Sequence, residues 1–228
     1  MDKKNFVHSE RSLYLQAKKF VTKRVDKILF KNMSREEIFT HIHKKNRWES
    51  DKAVDLELTK TLREELPQLL KKLQAKSILD IPCGDFWWLS SVDLGFLDYT
   101  GVDIVEHVIQ NDTKQYANEK RRFLKLDILN DDLPKADIIF CKDLFIHLPL
   151  EDCLKSIKNI KKSGAKYFLV DTHPSVKENK DIHTGMWRPL NLNLSPFFFP
   201  EPEYRIEIKT LKKGLGKEID LWQIKNLP

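Results

Sequence analysis

From residue 76 onward, short apolar runs alternate with stretches of helical periodicity, and this alternation constrains the fold more than any other feature of the chain. The apolar runs are SILDI (77–81), YTGVD (99–103), RFLKLD (122–127), DIIFCK (137–142) and KYFLVD (166–171). Candidate helices lie between them near 86–92, 105–119 and 150–162. Strands that alternate with helices predict a parallel sheet with helices on both faces.

The last segment of the chain has a different pattern. RIEIKTL (205–211) is followed by KKGLGK and then by EIDLWQI (218–224), which is typical of an antiparallel hairpin with a glycine-containing turn. The predicted fold class is therefore α/β: a Rossmann-like, doubly wound sheet, mostly parallel, with a C-terminal antiparallel hairpin strand.

Helices are also predicted before the sheet. Residues 10–31 have the spacing of a basic amphipathic helix. Ser34 and Glu37 form a capping-box pattern that predicts a helix over 35–45. A third helix is predicted over 54–74, interrupted at Pro67. We therefore divide the chain into an N-terminal helical extension, residues 1–53, and a domain of residues 54–228.

The net charge of +6 is concentrated in the extension. Residues 1–31 hold nine Lys and Arg against three Asp and Glu, whereas the remaining residues balance. The basic character is therefore not that of a nucleic-acid-binding body. The N-terminal helix could pack on the domain, cover the site where a substrate binds, contact a second subunit, or lie on an anionic membrane surface.

Cysteine content and hydropathy indicate a location. Three cysteines are too few for a disulfide framework, and no apolar run approaches the roughly 18–20 residues of a membrane span. We expect a cytoplasmic protein. Residues 1–31 could also make a peripheral contact with the inner face of the membrane.

Three carboxylates follow three successive strands. Asp80 ends the first strand, Asp103 the second and Asp127 the third. Because parallel strands place their carboxyl ends together, these side chains are expected to share one crevice, where Asp103 can accept both hydroxyls of a ribose and Asp127 can reach an adenine amino group. Carboxylates there disfavour a pyrophosphate and favour a positively charged ligand such as a sulfonium.

Over residues 54–228 the chain resembles the class I S-adenosylmethionine-dependent methyltransferases. The matching pieces are SILDIPCGDFWWL, YTGVDIVEHVIQ, FLKLDIL and ADIIFCKDLFIHLP, together with the terminal hairpin. The chain departs from the family's glycine-rich turn, because Pro82 and Phe86 replace the outer glycines and only Gly84 remains.

This resemblance implies a methyltransferase (EC 2.1.1 type) that uses S-adenosylmethionine and releases S-adenosylhomocysteine. The residues predicted to bind the cofactor are Asp80, Pro82, Cys83, Gly84, Asp85, Phe86, Trp88, Asp103, Ile104, Asp127, Ile128, Lys142 and Asp143. Phe86 and Trp88 are aromatic and could stack on the adenosine or belong to the core.

A narrower resemblance concerns the acceptor. DIPCGDFWW, together with NKDIHTGMWRPLNLNLSPFFFPEP (179–202), is similar to a bacterial and viral subgroup of small-molecule methyltransferases that are associated with surface polysaccharides. It implies O-methylation of a sugar hydroxyl. Because nearby side chains are basic, a phosphate-type substituent is a second possible methyl acceptor. The residues predicted to bind the acceptor are Trp187, Arg188, Asn191, Asp171 and His183.

A hydroxyl acceptor benefits from a general base, and histidine suits neutral pH. Asp143 and His147 are four residues apart, so one helical turn would place them on one face, with Asp143 orienting His147 or contacting the acceptor. His173 is the second candidate base. Two Asp-x-His pairs, 171–173 and 181–183, leave a divalent metal open, although no metal ligand is assigned.

Two other functions compete with this one. An RNA methyltransferase could use residues 1–31 as a basic arm, but the neutral body does not favour nucleic acid. A non-catalytic binding module with a degenerate cofactor fold is the third reading, supported by the missing glycines. The expected partner remains a small molecule or a glycan precursor, and the sequence does not fix the oligomeric state.

Overall fold

The computed structural model describes residues 28–47, 52–210 and 214–228. Most of the helix predicted over 10–31, and part of the turn of the C-terminal hairpin, lie outside these ranges. Helix α1 (Arg35–Lys44) begins at the predicted capping box: Ser34 Oγ accepts the Glu37 N–H, and the Glu37 carboxylate accepts the Ser34 N–H.

The third predicted helix is divided into α2 (Lys52–Leu58) and α3 (Lys60–Lys72). The predicted interruption at Pro67 is wrong, because α3 continues through this residue. The break falls at Thr59, whose hydroxyl donates to the Asp55 carbonyl oxygen at 2.7 Å. Four buried leucines of α3 pack on the sheet and stabilise the helix around the proline.

Seven strands form one sheet in the order β3-β2-β1-β4-β5-β7-β6. The strands are β1 (Ser77–Asp80), β2 (Asp98–Asp103), β3 (Arg121–Lys125), β4 (Ile138–Cys141), β5 (Tyr167–Thr172), β6 (Tyr204–Ile208) and β7 (Lys217–Gln223). The first five are parallel, and β7 pairs antiparallel with both β5 and β6. The predicted fold class, including the terminal hairpin, is confirmed.

Helices α4 (Glu106–Tyr116) and α5 (Leu150–Lys162) follow β2 and β4, as predicted. The helix predicted over 86–92 is reduced to one 3₁₀ turn, Leu89–Ser91. Phe86 adopts a positive φ of 52°, which ends helical geometry there. The Ser90 and Ser91 hydroxyls donate to the carbonyl oxygens of Trp87 and Trp88 and further close the turn.

Two hydrophobic clusters cover the faces of the sheet. One contains buried side chains of α1 and α5, and the other contains the leucines of α3. Successive residues of β1 separate accordingly, since Ile78 belongs to the second cluster and Leu79 to the first. Because Ile38, Phe39 and Ile42 of α1 are buried in the first cluster, this helix packs directly on the sheet.

Candidate cofactor and acceptor site

The turn after β1 leaves an opening at the carboxyl edge of the sheet. Its backbone is fixed by the Cys83 N–H, which donates to the Val102 carbonyl oxygen at 2.8 Å. Gly84 follows with φ +56°, a left-handed conformation that favours glycine. A Cβ at this position would meet no atom within 4 Å, so the turn faces open space.

Asp103 joins this turn to the start of α4. Its Oδ2 accepts the Gly84 N–H at 3.3 Å, and its Oδ1 accepts the Val105 N–H at 2.9 Å. The side chain is buried, and loss of water raises the pKa of Asp103, an effect that nearby His43 opposes. The predicted strand-end carboxylate therefore lies directly against the predicted turn.

Two further buried acids adjoin the same turn. Asp80 accepts the Tyr99 hydroxyl at 2.5 Å, and burial raises the pKa of Asp80 to about 7. Asp112, which sequence reasoning missed, is buried on α4 with the Cys83 Sγ at 3.9 Å, and burial raises the pKa of Asp112 to about 8. The same burial and the three carboxylates raise the pKa of Cys83, so its thiol stays protonated.

A signal for Asp112 was present in the sequence. It lies at helical spacing from Val105, Val108 and Ile109, on the buried side of α4, where an acid requires a reason. Enclosed carboxylates beside an open turn fit a ligand that brings positive charge, because such a ligand relieves their mutual repulsion.

Arg35 of α1 links the loop after β3 to α5. Its guanidinium donates to Asp127 Oδ2 at 2.8 Å and to Asp152 Oδ2 at 3.2 Å. Asp127 also accepts the Leu129 N–H at 3.0 Å, which fixes the loop after β3. The carboxylate predicted to reach an adenine amino group is thus paired with a basic side chain of α1.

Two hollows share Arg35 as a lining residue. The inner hollow, about 30 Å³, is lined by Arg35, Phe39, Ile81, Pro82, Asp103, Ile104, Leu126, Asp127, Ile128, Leu129, Leu144 and Leu148. The outer hollow, about 380 Å³, is lined by Ser34, Arg35, Glu36, Ile104, Lys125, Leu126, Asp127, Asn130 and Asp131. Four predicted cofactor residues, Pro82, Asp103, Ile104 and Ile128, therefore meet Asp127 beneath α1.

The aromatic residues after Gly84 differ in burial. Of the two alternatives left open for Phe86, the structure shows burial in the core, because this ring is 1% exposed and packs against Tyr99, Tyr116 and Phe123. Trp88 is partly exposed and lies under the Lys142 ammonium, which is 5.7 Å from the ring centroid. Asp85 is exposed, and its Oδ1 accepts the Trp87 N–H.

The loop after β4 carries a group of charges. Asp143 has φ +61°, its N–H donates to Asp171 Oδ1 at 2.7 Å, and its carboxylate contacts the ammonium groups of Lys142 and Lys217. These two lysines hold the pKa of Asp143 well below its usual range despite burial, whereas burial raises the pKa of Asp171. Lys217, the first residue of β7, was not predicted as part of the site.

His147 lies on a 3₁₀ turn, Phe145–His147, and is buried. The positive φ of Asp143 shows that the prediction of one continuous helical turn over 143–147 is wrong. His147 Nδ1 lies 2.8 Å from the Met186 carbonyl oxygen, which requires the ring proton at Nδ1 and leaves the lone pair of the neutral ring on Nε2. Burial lowers the pKa of His147 to about 4, so the ring is neutral at pH 7.

His173 has the opposite arrangement. It is buried, and its ring Nδ1 accepts the Leu190 backbone N–H at 3.4 Å. The backbone N–H of His173 donates to the Leu190 carbonyl oxygen at 2.7 Å. The neutral ring then carries its proton on Nε2 and its lone pair is engaged at Nδ1. His173 stays a prediction as the second candidate base, with its Nδ1 lone pair engaged by the Leu190 N–H.

The loop of residues 184–202 is held by two side chains that were predicted to bind the acceptor. Arg188 is 5% exposed and donates to the carbonyl oxygens of Lys180, Phe145 and Leu148. Asn191 is also buried, and its amide nitrogen donates to the carbonyl oxygens of Pro174 and Val176. The predicted acceptor contacts of both side chains are wrong, because their donors serve the backbone.

The remaining predicted acceptor residues occupy different environments. Trp187 and His183 are exposed, whereas Asp171 is buried at the end of β5. Across the three described ranges, no group of three or more His, Cys, Asp or Glu side chains is placed to hold a metal ion. Within the same ranges, none of the helices combines the length and apolar character needed to cross a bilayer.

Comparison with known proteins agrees with this architecture. Residues 79–169 match the family described as "Methyltransferase domain". A search of curated proteins found no sequence relative of the chain.

Three solved structures illustrate the structural likeness. Burkholderia thailandensis 1,6-didemethyltoxoflavin-N1-methyltransferase has a TM-score of 0.58 and 14% identity over 82% of this chain and 87% of its own. Synechocystis magnesium protoporphyrin IX methyltransferase has a TM-score of 0.55 and 12% identity over 82% and 96%. Human N-acetylserotonin methyltransferase has a TM-score of 0.52 and 15% identity over 84% and 60%.

The strand order and the terminal antiparallel hairpin are therefore those of the fold that these methyltransferase structures share. Within this chain, residues 79–169 form the matched methyltransferase domain, which begins in β1 and ends in β5.

Proposed function

We propose that this protein is an S-adenosylmethionine-dependent O-methyltransferase that acts on a small acceptor. The class of enzyme rests on the fold and on the matched domain. The acceptor we favour is a sugar hydroxyl, or a phosphate-type substituent, of a capsular or lipopolysaccharide precursor at the cytoplasmic face of the membrane. This choice is supported by the resemblance of residues 179–202 to the polysaccharide-linked subgroup.

The observation that carries the cofactor assignment is the group of buried carboxylates around the open Gly84 turn. S-adenosylmethionine, when bound, supplies a methyl group on a positively charged sulfur. Asp103 would hold the ribose hydroxyls, and Asp80 and Asp112, whose pKa values are raised to about 7 and about 8, would lose their protons when a cationic ligand binds and would then supply negative charge beside it. Pro82, Ile104 and Ile128 would provide the apolar walls for the adenine ring.

His147 is the residue we favour as general base. Its neutral ring keeps the lone pair on Nε2, as the hydrogen bond from Nδ1 to Met186 requires. A neutral imidazole can remove the proton of a hydroxyl acceptor during methyl transfer. Arg188 fixes the backbone of this segment, because it donates hydrogen bonds to the carbonyl oxygens of Phe145 and Leu148, on both sides of His147 in the sequence.

Calorimetric titration with S-adenosylmethionine and S-adenosylhomocysteine tests the cofactor assignment. Replacing Asp103 by Asn removes a charged acceptor and is expected to weaken both ligands by about tenfold or more. Asp98→Asn is the matched control, because this exposed residue lies at the opposite end of β2 and should leave affinity unchanged. Thermal melts separate loss of folding from loss of binding, and unchanged affinity in a folded Asp103→Asn protein would contradict the assignment.

The acceptor is tested by mass spectrometry of surface glycans from cells with and without the gene. Loss of the mass of one methylene group from a glycan unit would support a polysaccharide acceptor. An unchanged glycan, in cells where the purified enzyme binds the cofactor, would direct the search to another small molecule.

A further inference from the structure

Two lysines meet at one carboxylate at the carboxyl edge of the sheet. Lys142 lies directly after β4 and Lys217 begins β7, so they are distant in sequence but adjacent in space. Both ammonium groups contact the Asp143 carboxylate. The side chains of Lys142 and Lys217 are 18% and 14% exposed, whereas that of Asp143 is 35% exposed. The cluster is therefore largely desolvated, with its most exposed side chain at Asp143.

The cluster has an excess of positive charge. Asp143 is held ionised by the lysines and neutralises one of them. Asp171 is the other neighbouring acid; burial raises its pKa, and it approaches the Lys217 ammonium only to 3.8 Å. Its Oδ1 accepts the Asp143 N–H, while its buried Oδ2, 3.8 Å from the Lys217 ammonium, has no hydrogen-bond partner.

Asp80 does not remove this excess. Lys142 lowers the pKa of Asp80, yet that pKa stays at about 7, and its carboxylate is bonded to Tyr99. Each ammonium has three N–H donors, and Asp143 takes one from each lysine. Donors therefore remain for a further acceptor of hydrogen bonds, and a desolvated charge is stabilised when it is paired.

We propose that Lys142 and Lys217 form a binding site for an anionic group, a carboxylate or a phosphate, carried by the methyl acceptor. This proposal rests on the proposed function, because it places the acceptor beside the loop after β4. Asp143 holds the two ammonium groups together, so that they present converging donors to one anion. The Trp88 ring under Lys142 adds a flat apolar surface for the body of the same acceptor.

The probe is inorganic phosphate, titrated into the full-length protein at constant ionic strength and saturating S-adenosylhomocysteine. We expect binding that is weakened about tenfold in Lys217→Gln and in Lys142→Gln, because each variant loses a charged hydrogen bond. Lys217→Arg keeps the charge and should retain binding. Lys166→Gln is the matched control, since Lys166 pairs with Asp137 at 3.1 Å on the surface, at the start of β4, and should bind phosphate like the original protein.

The opposite results are equally clear. The proposal would be overturned if the original protein did not bind phosphate, or if both Gln variants bound phosphate as tightly as the original protein. Lys142→Gln keeps the Lys217–Asp143 pair, so at least one variant tests the site in a protein with an intact fold.

A second experiment distinguishes a carboxylate of the methyl acceptor from the carboxylate of the cofactor itself. Methylthioadenosine lacks the amino-acid portion of S-adenosylhomocysteine. If the Gln variants weaken S-adenosylhomocysteine but not methylthioadenosine, the lysines bind the cofactor's own carboxylate and the acceptor site is refuted. Failure of the original protein to bind S-adenosylhomocysteine at all would instead refute the proposed function, and this result is read before phosphate is added.

Discussion

At the scale of single residues, Gly101 in the middle of β2 shows how closely the sheet is packed. A Cβ at this position would lie 2.6 Å from Cδ1 of the buried Phe123 ring. Gly101→Ala should therefore destabilise the protein by about 1–3 kcal/mol, the usual range for overpacking a core. Chemical denaturation measures the change. Gly216→Ala is the control, since no atom lies within 4 Å of its added Cβ, and equal stability of the two variants would contradict this account.

His147 gives a prediction about protonation. Because burial lowers its pKa to about 4, the imidazole should stay neutral, with the proton on Nδ1, from pH 8 down to about pH 5. Nitrogen-15 NMR of the imidazole reports both the tautomer and the titration, and the signal is assigned by its loss in His147→Gln. Turnover of an identified acceptor should fall by about 100-fold in the same variant. A titration midpoint near the ordinary value of about 6.5 would contradict the buried geometry.

Three residues show what could be read from the sequence and what could not. Asp103 was predictable because an acid that follows an apolar strand marks the edge where parallel strands end. Lys217 was not, because its partner Asp143 is brought to it only by the antiparallel pairing of β7 with β5. Arg188 was assigned to the acceptor because a loop arginine resembles a binding residue, and only its carbonyl partners identify it as a structural residue.

At the scale of elements, local sequence patterns could be predicted, whereas contacts between residues distant in sequence could not. Strands and the hairpin were predictable because alternation and turn residues are local signals. The break between α2 and α3 falls at Thr59, whose hydroxyl bonds to the Asp55 carbonyl oxygen. Helix α1 is held by its buried apolar side chains and by pairs between Arg35 and two distant acids. Such pairs leave no trace in local periodicity, so the position of α1 over the crevice could not be predicted.

The position of α1 predicts how the cofactor enters. The inner hollow, about 30 Å³, is far smaller than the roughly 300 Å³ or more that a bound cofactor needs. Arg35 lines both this hollow and the outer hollow of about 380 Å³, so we expect a cofactor that occupies both to displace the Arg35–Asp127 pair. Arg35→Ala should accelerate association of S-adenosylhomocysteine by a few-fold, about what partly exposed ion pairs contribute. Stopped-flow tryptophan fluorescence measures the rate.

Hydrogen exchange of the α1 amides supplies an independent readout. These amides should exchange faster in Arg35→Ala, because the helix loses its links to Asp127 and Asp152. Arg205→Ala is the control, since Arg205 forms comparable surface pairs on the terminal hairpin. An association rate and an exchange pattern like those of Arg205→Ala would show that α1 does not limit entry.

At the scale of the whole molecule, buried acids tie stability to pH. The folded-state pKa values of Asp80 and Asp220 are raised to about 7 and that of Asp112 to about 8. The folded protein therefore binds more protons than the unfolded chain between about pH 4 and these values, so stability falls as pH rises through this range. His147 opposes this decline up to about pH 7.5, because its folded-state pKa is lowered to about 4 whereas that of the unfolded imidazole is about 6.5. Melting temperatures should therefore decline most clearly above about pH 7.5, where His147 is neutral in both states.

Only part of this effect belongs to the cofactor crevice. Asp220 lies on β7 beside Glu218 and Arg205, away from the Gly84 turn, so it contributes to stability and not to binding. A positively charged cofactor should lower the pKa values of Asp80 and Asp112 and release protons as it binds near pH 7. Calorimetry in buffers of different ionisation enthalpy should therefore detect proton release with S-adenosylmethionine, less with the uncharged sulfur of S-adenosylhomocysteine, and less again in Asp112→Asn. Equal proton release for both ligands would mean that the acids do not respond to the sulfonium charge.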